Sequence, residues 1–538
     1  MSEYDFIMIS QSEVVRYEQY NKLPLNRLDL YKSLVQLRMV FFEDGFRSHL
    51  DLFNKILYGT YFHEASYEER RCLFNIWNMP GLNGISTVSP LIKHGIRCRI
   101  INNFDSEYDN LLSCCKESDN PIVGISTTFI LQWTEIARIA DKISKDLPGA
   151  ILILGGAFVC DQYVLKGSGH FEKPMRKYNI QYIIHSFNSE KDLLNLVKNI
   201  ISKNKNFSHI NNLAYIDNHG EFRTTDVVWN DPEIQGSAIP WEEIYTPSFG
   251  STLQIRTASG CPFRCAFCNY PSSANGFHVS SVEDVEVQLE AINRLSNVEA
   301  IVFIDDTINA PNSRFNLLLS VLKKYRFRWY AFFRTQFLDE TTAKNLKESG
   351  CDGLYLGLES ASNKVLENMN KKAKADDYIK GVALLKKYDI PIFAMFILGF
   401  PGETEETIQD NISFIENNGI DYYSAKEFYY LHSSPVHARK DEFSLEGEGN
   451  KWKHRTMNSA QASKMKLHMF DSIKNSTYID PDMGLWYLIY LRERGFGWSK
   501  IKASQTIINQ MSKEDNLGNY NDKETLFEDL KNVISRKQ

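Results

Sequence analysis

The sequence predicts an α/β chain with two successive strand-helix blocks, and three observations carry that reading. Continuous apolar runs of strand length, such as AILILGG (150–156) and IFAMFILGF (392–400), are bounded by turn residues, as in parallel strands buried on both faces. These runs alternate with segments whose apolar residues fall at helical spacing, as Ile136, Ile139, Ala140 and Ile143 do in TEIARIADKISKDL. The alternation occurs over residues 80–205 and again over 251–435, separated by a stretch without it. The expected architecture is a doubly wound, Rossmann-like N-terminal domain, then a partial (βα)6 barrel, then a helical C-terminal region.

Taken in order, residues 1–79 read as an aromatic-rich extension, with a strand at Phe6–Ile9 followed by helices through LYKSLVQLRMVFFEDGF (30–46). In the 80–205 domain, GISTVSPLIKHG (84–95) is a helix stopped by Gly95, and IRCRII (96–101) and PIVGIST (121–127) are strands. The helix ending at Pro148 and Gly149, the strand AILILGG, the strand YIIHSF (182–187) and the helix KDLLNLVKNI (191–200) complete it. Residues 206–250 read as a linker, with a hairpin turning at Asn218–Gly220 and prolines at 232, 240 and 247. Strands of the 251–435 barrel are LQIRTAS, AIVFIDD, WYAFFRT, GLYLGLES, IFAMFILGF and YYSAKEF, with VEDVEVQLEAINRLS as one of the intervening helices. Residues 436–538 turn to helices and polar connections, including an amphipathic GLWYLIYLRERG (484–495).

The composition supports large cores, since 43% of the 538 residues are hydrophobic and 13% aromatic. A net charge of -6 without a basic stripe argues against nucleic acid or an anionic membrane as partner, and favours a small-molecule or peptide substrate. The acidic N-terminus lacks a secretion signal and no apolar run is long enough to span a bilayer, so a cytoplasmic location is expected. Of the nine cysteines, Cys72, Cys98, Cys160 and Cys351 stand alone and read as reduced core residues.

Three cysteines share one short motif. Cys261, Cys265 and Cys268 lie in CPFRCAFC, directly after a predicted strand, where parallel α/β sheets place ligand sites. Thiolates suit zinc or iron-sulfur clusters, but a closed zinc site needs a fourth near ligand, and the nearest histidine is His278 with no second CxxC in the chain. Three thiolates on a four-iron cube leave one iron free for a further ligand.

CxxxCxxC with Phe267 before the last cysteine resembles the signature of the radical S-adenosylmethionine (SAM) superfamily. The resemblance implies a [4Fe-4S] cluster on Cys261, Cys265 and Cys268 with SAM at the vacant iron, and an external one-electron donor of the flavodoxin or ferredoxin type. Further positions match in order: FIDDT with Asp305 and Asp306, FFRT with Arg334, GLES with Glu359 and Ser360, and FILGFPGE with Gly402. By resemblance, Phe267, Asp306, Arg334, Glu359, Ser360 and Gly402 are the SAM contacts.

The segment upstream resembles the cobalamin-binding domain of a large radical SAM class, through GLNGISTVSPLIKHGIRCRIINNF, VGISTTF, DLPGAILILGGAF and YIIHSFNSEKDLLNLV. Ser126, Thr127, Gly155 and Gly156 would then face the corrin, glycine permitting close approach of a flat ligand. A DxHxxG motif is absent, so no protein imidazole on cobalt is expected, and FNSE (187–190) replaces the usual GEGE-like turn. His185 reads as a packing residue.

The C-terminal run with Trp452, His454, Thr456 and Met457 looks like the phosphorus methyltransferases of phosphinothricin-type biosynthesis and their relatives. Tyr429, Tyr430, His432, His437, Trp452 and His454 become candidates to line a substrate cavity. His454 is the candidate catalytic acid, since an imidazole titrates near neutral pH. The implied activity is methylation of an unactivated carbon or a phosphinate phosphorus in a small specialised metabolite. A cobalamin-free radical SAM enzyme doing oxidation, epimerisation or rearrangement, and a non-enzymatic protein with a structural cluster, stay open at this level.

Overall fold

A computed structural model describes residues 3–13, 37–70, 72–230, 239–246, 249–482, 484–517 and 523–536. The chain divides into two compact units: residues 1–15, 77–260 and 272–298 form one, and residues 16–76, 261–271 and 299–538 the other.

The first unit is built on one sheet whose strands lie in the order Cys98–Ile101, Phe6–Ile9, Ile122–Ser126, Ile151–Gly155, Tyr182–Ile184, Leu213–Ile216 and Phe222–Thr224. The first five are parallel, and the last two add antiparallel to them. Numbered along the chain, the parallel strands run 2-1-3-4-5, the doubly wound order whose ligand crevice opens between strands 1 and 3. The Phe6–Ile9 strand expected from the sequence is therefore central to this sheet, buried along its whole length. Helix Trp133–Asp146 buries Ile136, Ile139, Ala140 and Ile143, the predicted apolar face, against this core, and buries Ala137 as well. Each of the three fully buried isoleucines, Ile136, Ile139 and Ile143, contributes about 1.5–3 kcal/mol. The hairpin turn is where the sequence put it, with Gly220 at φ +79° between the last two strands.

The second unit carries parallel strands Ala300–Phe303, Arg328–Phe333, Cys351–Glu359, Ile392–Leu398, Tyr422–Glu427 and Thr477–Tyr478, neighbours in that order. Helices Asn312–Leu322, Glu340–Glu348, Ala375–Lys387 and Glu405–Asn417 connect them. Asp339 and Thr404 cap two of these helices by accepting from the first-turn backbone N–H groups of Thr342 and Thr407, so polar residues fix where strand-following loops end.

Three expectations change. Within the segment read as helical, Met39–Phe42 and Gly45–Ser48 form an antiparallel hairpin, because the aromatic and β-branched run MVFF meets a two-residue turn at Glu43 and Asp44, with Glu43 at φ +55°. The helix Gly484–Glu493 buries nearly every residue from Leu485 to Leu491, so it is a core helix and not an amphipathic one. Cys72 is exposed, while Cys160 and Cys351 are buried as expected and Cys98 is half-buried. Positions 232 and 247, two of the linker prolines, lie outside the described residues. Among the described residues no helix is long and apolar enough to cross a membrane.

Candidate active site

The cysteine loop belongs to the second unit and is fastened from two sides. Ala266 N–H donates to the Met369 carbonyl at 2.7 Å, and its own carbonyl accepts from Val436 N–H at 2.8 Å. The Asn370 amide donates to the Arg264 carbonyl at 2.7 Å, and the Asn269 amide to the Ser433 hydroxyl at 3.1 Å. Cys268 N–H closes a turn on the Cys265 carbonyl at 3.1 Å. All three thiols are free of disulfides, Cys265 buried and the other two half-buried. Burial pushes the Cys261 thiol up and the Cys268 thiol up to about 12, and the nearby Asp306 charge pushes in the same direction. Iron binding must therefore displace protons here.

Three sulfur donors on one pinned loop suit a [4Fe-4S] cube, which takes each thiolate on a different iron. Among the described residues, no three His, Cys, Asp or Glu side chains converge on a single metal-ion position. His278, the nearest histidine in sequence, faces the Asn275 carbonyl at 3.0 Å.

The strand ends supply the surroundings. Cys351–Glu359 ends in a register shift between Gly357 and Glu359, which places Glu359 at φ +67°. A bulge with a non-glycine residue in the left-handed region re-aims a side chain at a conformational cost, a feature that concentrates at functional sites. The Glu359 carboxylate accepts from Lys371 Nζ at 2.9 Å, both side chains being largely buried. Lys371 Nζ also lies 5.7 Å from the Phe267 ring centroid, and Phe267 meets Phe400 edge-on at 6.4 Å. Lys371 was not singled out by the sequence, because nothing in NMNKKAK distinguishes it from a solvated lysine.

Ser360 is fully buried: its hydroxyl donates to Asn411 Oδ1 at 3.3 Å and accepts from Ser362 N–H at 3.1 Å. Asn411 also accepts from Ala361 N–H at 2.6 Å and donates to Glu403 at 3.4 Å. Glu403, completely buried, accepts from Gly399 N–H as well, and burial raises its carboxyl to about 8. A chain Ser360–Asn411–Glu403–Gly399 thus ties the ends of two neighbouring strands. Gly402 stands at φ +97°, where a β-carbon would collide with the Asn368 amide. Asp306 is exposed and Asp305 fully buried.

Arg334 is buried at the end of its strand, with its guanidinium 3.7 Å above the Phe263 ring. Nη1 lies 3.9 Å from Cys265 Sγ, and Nη2 donates to the Lys371 carbonyl.

His454 departs from its expected role. Its Nε2 faces the Gly399 carbonyl at 3.0 Å, Nδ1 faces the Thr456 hydroxyl and N–H at 3.2 and 3.3 Å, and burial lowers its pKa. With both ring nitrogens engaged, the geometry is that of an anchor for the loop after Leu398 and not of an acid presented to substrate. Of the other aromatic candidates, Trp452 and Tyr430 are buried, while Tyr429 and His432 are exposed. Tyr430 Oη is 2.7 Å from His437 Nδ1.

In the first unit, Ser126 and Gly155 are register partners at the C-terminal ends of adjacent parallel strands, and Thr127 and Gly156 follow them. Thr127 N–H and its hydroxyl both donate to the Gly155 carbonyl, at 2.7 and 3.0 Å, so Thr127 braces the edge from within. Gly156, at φ +113°, would bring a β-carbon to 3.0 Å from two backbone nitrogens, and nothing closer than 3.7 Å faces Gly155. The buried Ser186 hydroxyl, after the next strand, has no hydrogen-bond partner. Phe129 and Leu131, just beyond Thr128, are exposed. An open glycine edge with apolar side chains and an unsatisfied hydroxyl suits a flat amphipathic ligand such as a corrin. His185 is stacked on Tyr163 at 4.3 Å and on Phe171 at 5.9 Å.

Comparison with known proteins agrees with this geometry. Residues 255–415 match the model of the Radical SAM superfamily. An uncharacterized methyltransferase of Pyrococcus horikoshii is 26% identical over 366 residues, spanning 63% of this chain and 74% of the relative. The bacteriochlorophyllide d C-12(1)-methyltransferase of Chlorobaculum tepidum is 28% identical over 183 residues, 33% of this chain and 40% of that enzyme. Among solved structures, the radical SAM methyltransferase TsrM of Kitasatospora setae, with tryptophan and a SAM analogue bound, aligns over 67% of this chain and 72% of its own with a TM-score of 0.55 at 16% identity. The cobalamin-dependent radical SAM enzyme OxsB, with aqua-cobalamin and SAM bound, aligns over 98% of this chain and 78% of its own with a TM-score of 0.53 at 16% identity. The chain is thus an enzyme carrying a radical SAM domain at residues 255–415, with the fold of cobalamin-dependent members.

Proposed function

We propose that this enzyme is a cobalamin-dependent radical SAM methyltransferase acting on an unactivated carbon or a phosphinate phosphorus of a small specialised metabolite. The observation that carries the reading is the presence, in one chain, of the pinned three-cysteine loop and of a 2-1-3-4-5 sheet with an open glycine edge. Methyltransferase relatives and the cobalamin held by the structural neighbours support it.

When bound, the cluster and SAM supply one-electron chemistry and cobalamin serves as methyl carrier. The residues have separable tasks in this reading. Cys261, Cys265 and Cys268 hold the cluster. Glu359, turned by its bulge, and Phe267 face SAM, with Lys371 holding the Glu359 carboxylate in its orientation. The Ser360–Asn411–Glu403 chain and Gly402 hold the strand ends at which SAM lies. Gly155, Gly156 and Ser126 offer the edge to the corrin, without an imidazole for its metal. Electrons come from an external flavodoxin- or ferredoxin-type donor.

The test is protein produced anaerobically with cobalamin. It should retain corrin absorbance through gel filtration, and should pass label from methyl-labelled SAM to a candidate phosphinate or peptide. A cluster-loaded protein that cleaves SAM but retains no corrin would instead be a cobalamin-free radical SAM enzyme.

A further inference from the structure

Arg334 is a cation with no visible anion. The residue is 6% exposed, yet among the described residues no carboxylate lies within ion-pairing distance. A buried guanidinium is costly unless an anion or a full set of acceptors compensates it. The acceptors present are neutral. Nη2 donates to the Lys371 carbonyl, and the Gln336 side-chain oxygen, with the amide turned to suit its neighbours, accepts from Nε at 2.9 Å and Nη2 at 3.1 Å. Phe263 covers the guanidinium face at 3.7 Å and is itself stacked on Phe337 at 5.9 Å. These contacts leave Nη1 directed at Cys265 Sγ, 3.9 Å away.

The backbone of Arg334 is held as firmly as its head. Asn309 donates to the Arg334 carbonyl at 2.9 Å and accepts from Arg334 N–H at 3.1 Å, so one side-chain amide closes on both polar groups of the residue. Asn309 is itself 3% exposed and fixed by the Thr307 hydroxyl at 3.2 Å.

We infer that Arg334 is the electrostatic partner of the Cys265 thiolate, that it makes the cluster easier to reduce, and that Asn309 is the residue that positions it. This rests on the reading that Cys265 ligates the cluster. Three thiolates outweigh the charge of the oxidised iron-sulfur core, so the assembly is anionic, and one electron from an external reductant makes it more so without moving a proton or breaking a bond. A charge-assisted hydrogen bond to a ligand sulfur stabilises the more negative state more and raises the reduction potential. The same geometry argues against a bidentate grip on the SAM carboxylate, since Nε and Nη2 are already engaged.

The experiment is an EPR-monitored dithionite titration of the full chain after anaerobic cluster reconstitution, in the absence of SAM, with iron counted per chain. Arg334→Gln should retain its iron while its reduction equilibrium constant falls about tenfold, equivalent to about 59 mV for one electron. Arg334→Lys should fall between the two, and Asn309→Ala should shift in the same direction by less. An unchanged midpoint in Arg334→Gln, with only weaker SAM binding, would overturn the inference and make Arg334 a SAM ligand. Should Arg334→Gln fail to take up iron, Asn309→Ala decides, and an unmoved midpoint there overturns it as well. Failure of the unsubstituted protein to bind iron is a separate result, which removes the cluster reading itself.

Discussion

The His454 imidazole lies parallel to the Trp452 indole, with ring centroids 5.2 Å apart and an interplanar angle of 4°, while its Nε2 meets the Gly399 carbonyl at 3.0 Å. Trp452 Nε1–H in turn donates to the Phe428 carbonyl at 2.6 Å, so the pair ties two strand-following loops together. His454→Ala should therefore cost about 1–3 kcal/mol of stability by leaving buried polar groups unpaired. Thermal or chemical denaturation measures this. A loss of turnover with unchanged stability and a displaced alkaline limb of the pH–rate profile would restore the residue as an acid.

Gly399→Ala should be more damaging still. Gly399 sits at φ +84°, and a β-carbon there would run into the far edge of the Trp452 indole and into Ala462. A strained backbone position alone costs about 1–3 kcal/mol, and the overlap with a packed ring adds to it. The predicted outcome is a lower denaturation midpoint and loss of SAM binding, measured together on the purified variant.

Glu403 predicts a pH dependence of stability. Burial raises its carboxyl from 4.5 to about 8 in the folded chain. A carboxyl with a raised folded-state pKa contributes fully below its unfolded value, and that contribution fades as pH rises from about 4.5 towards 8. Glu403→Gln, which removes the ionisation but spoils one accepted bond, should be less stable than the parent at pH 5 and close the gap by pH 8. Melting temperatures across that range check it, and a gap independent of pH would contradict the assignment.

His185 gives the opposite sign. Both ring nitrogens are buried without a partner and burial lowers the imidazole from 6.5 to about 4. A base with a depressed folded-state pKa contributes fully above its unfolded value, and the contribution is lost as pH falls from about 6.5 to 4. His185→Phe keeps the stack on Tyr163 and removes the orphaned nitrogens, so the cofactor-free variant should match or exceed the parent at pH 7 and exceed it further at pH 5. Urea unfolding at the two pH values separates this from a ligand role, in which the variant would lose corrin retention instead.

Much of this architecture was legible in the sequence because apolar runs such as ILILG and IFAMFIL have strand length, are rich in β-branched and aromatic residues and are bounded by turn residues, as buried parallel strands are, and the ends of such strands are where ligands bind. The cysteine triplet was legible because its spacing is local. What escaped was whatever depends on residues distant in sequence meeting in space. Asn309 and Arg334 are 25 residues apart, and Asn411 and Ser360 are 51 apart. Neither asparagine carries a pattern that marks it. The hairpin at Met39–Phe42 was missed because aromatic and charged residues there mimic a helical period, and Gly484–Glu493 because a mixed apolar run does not reveal that all its faces are covered.

The most direct test of the central claim is the EPR spectrum of the reduced, anaerobically reconstituted protein before and after addition of SAM. The account predicts a [4Fe-4S] signal that changes on SAM binding and disappears when Cys261, Cys265 or Cys268 is replaced by alanine. Zinc in place of iron at these cysteines, or an iron-sulfur signal that SAM leaves unaltered, would contradict it.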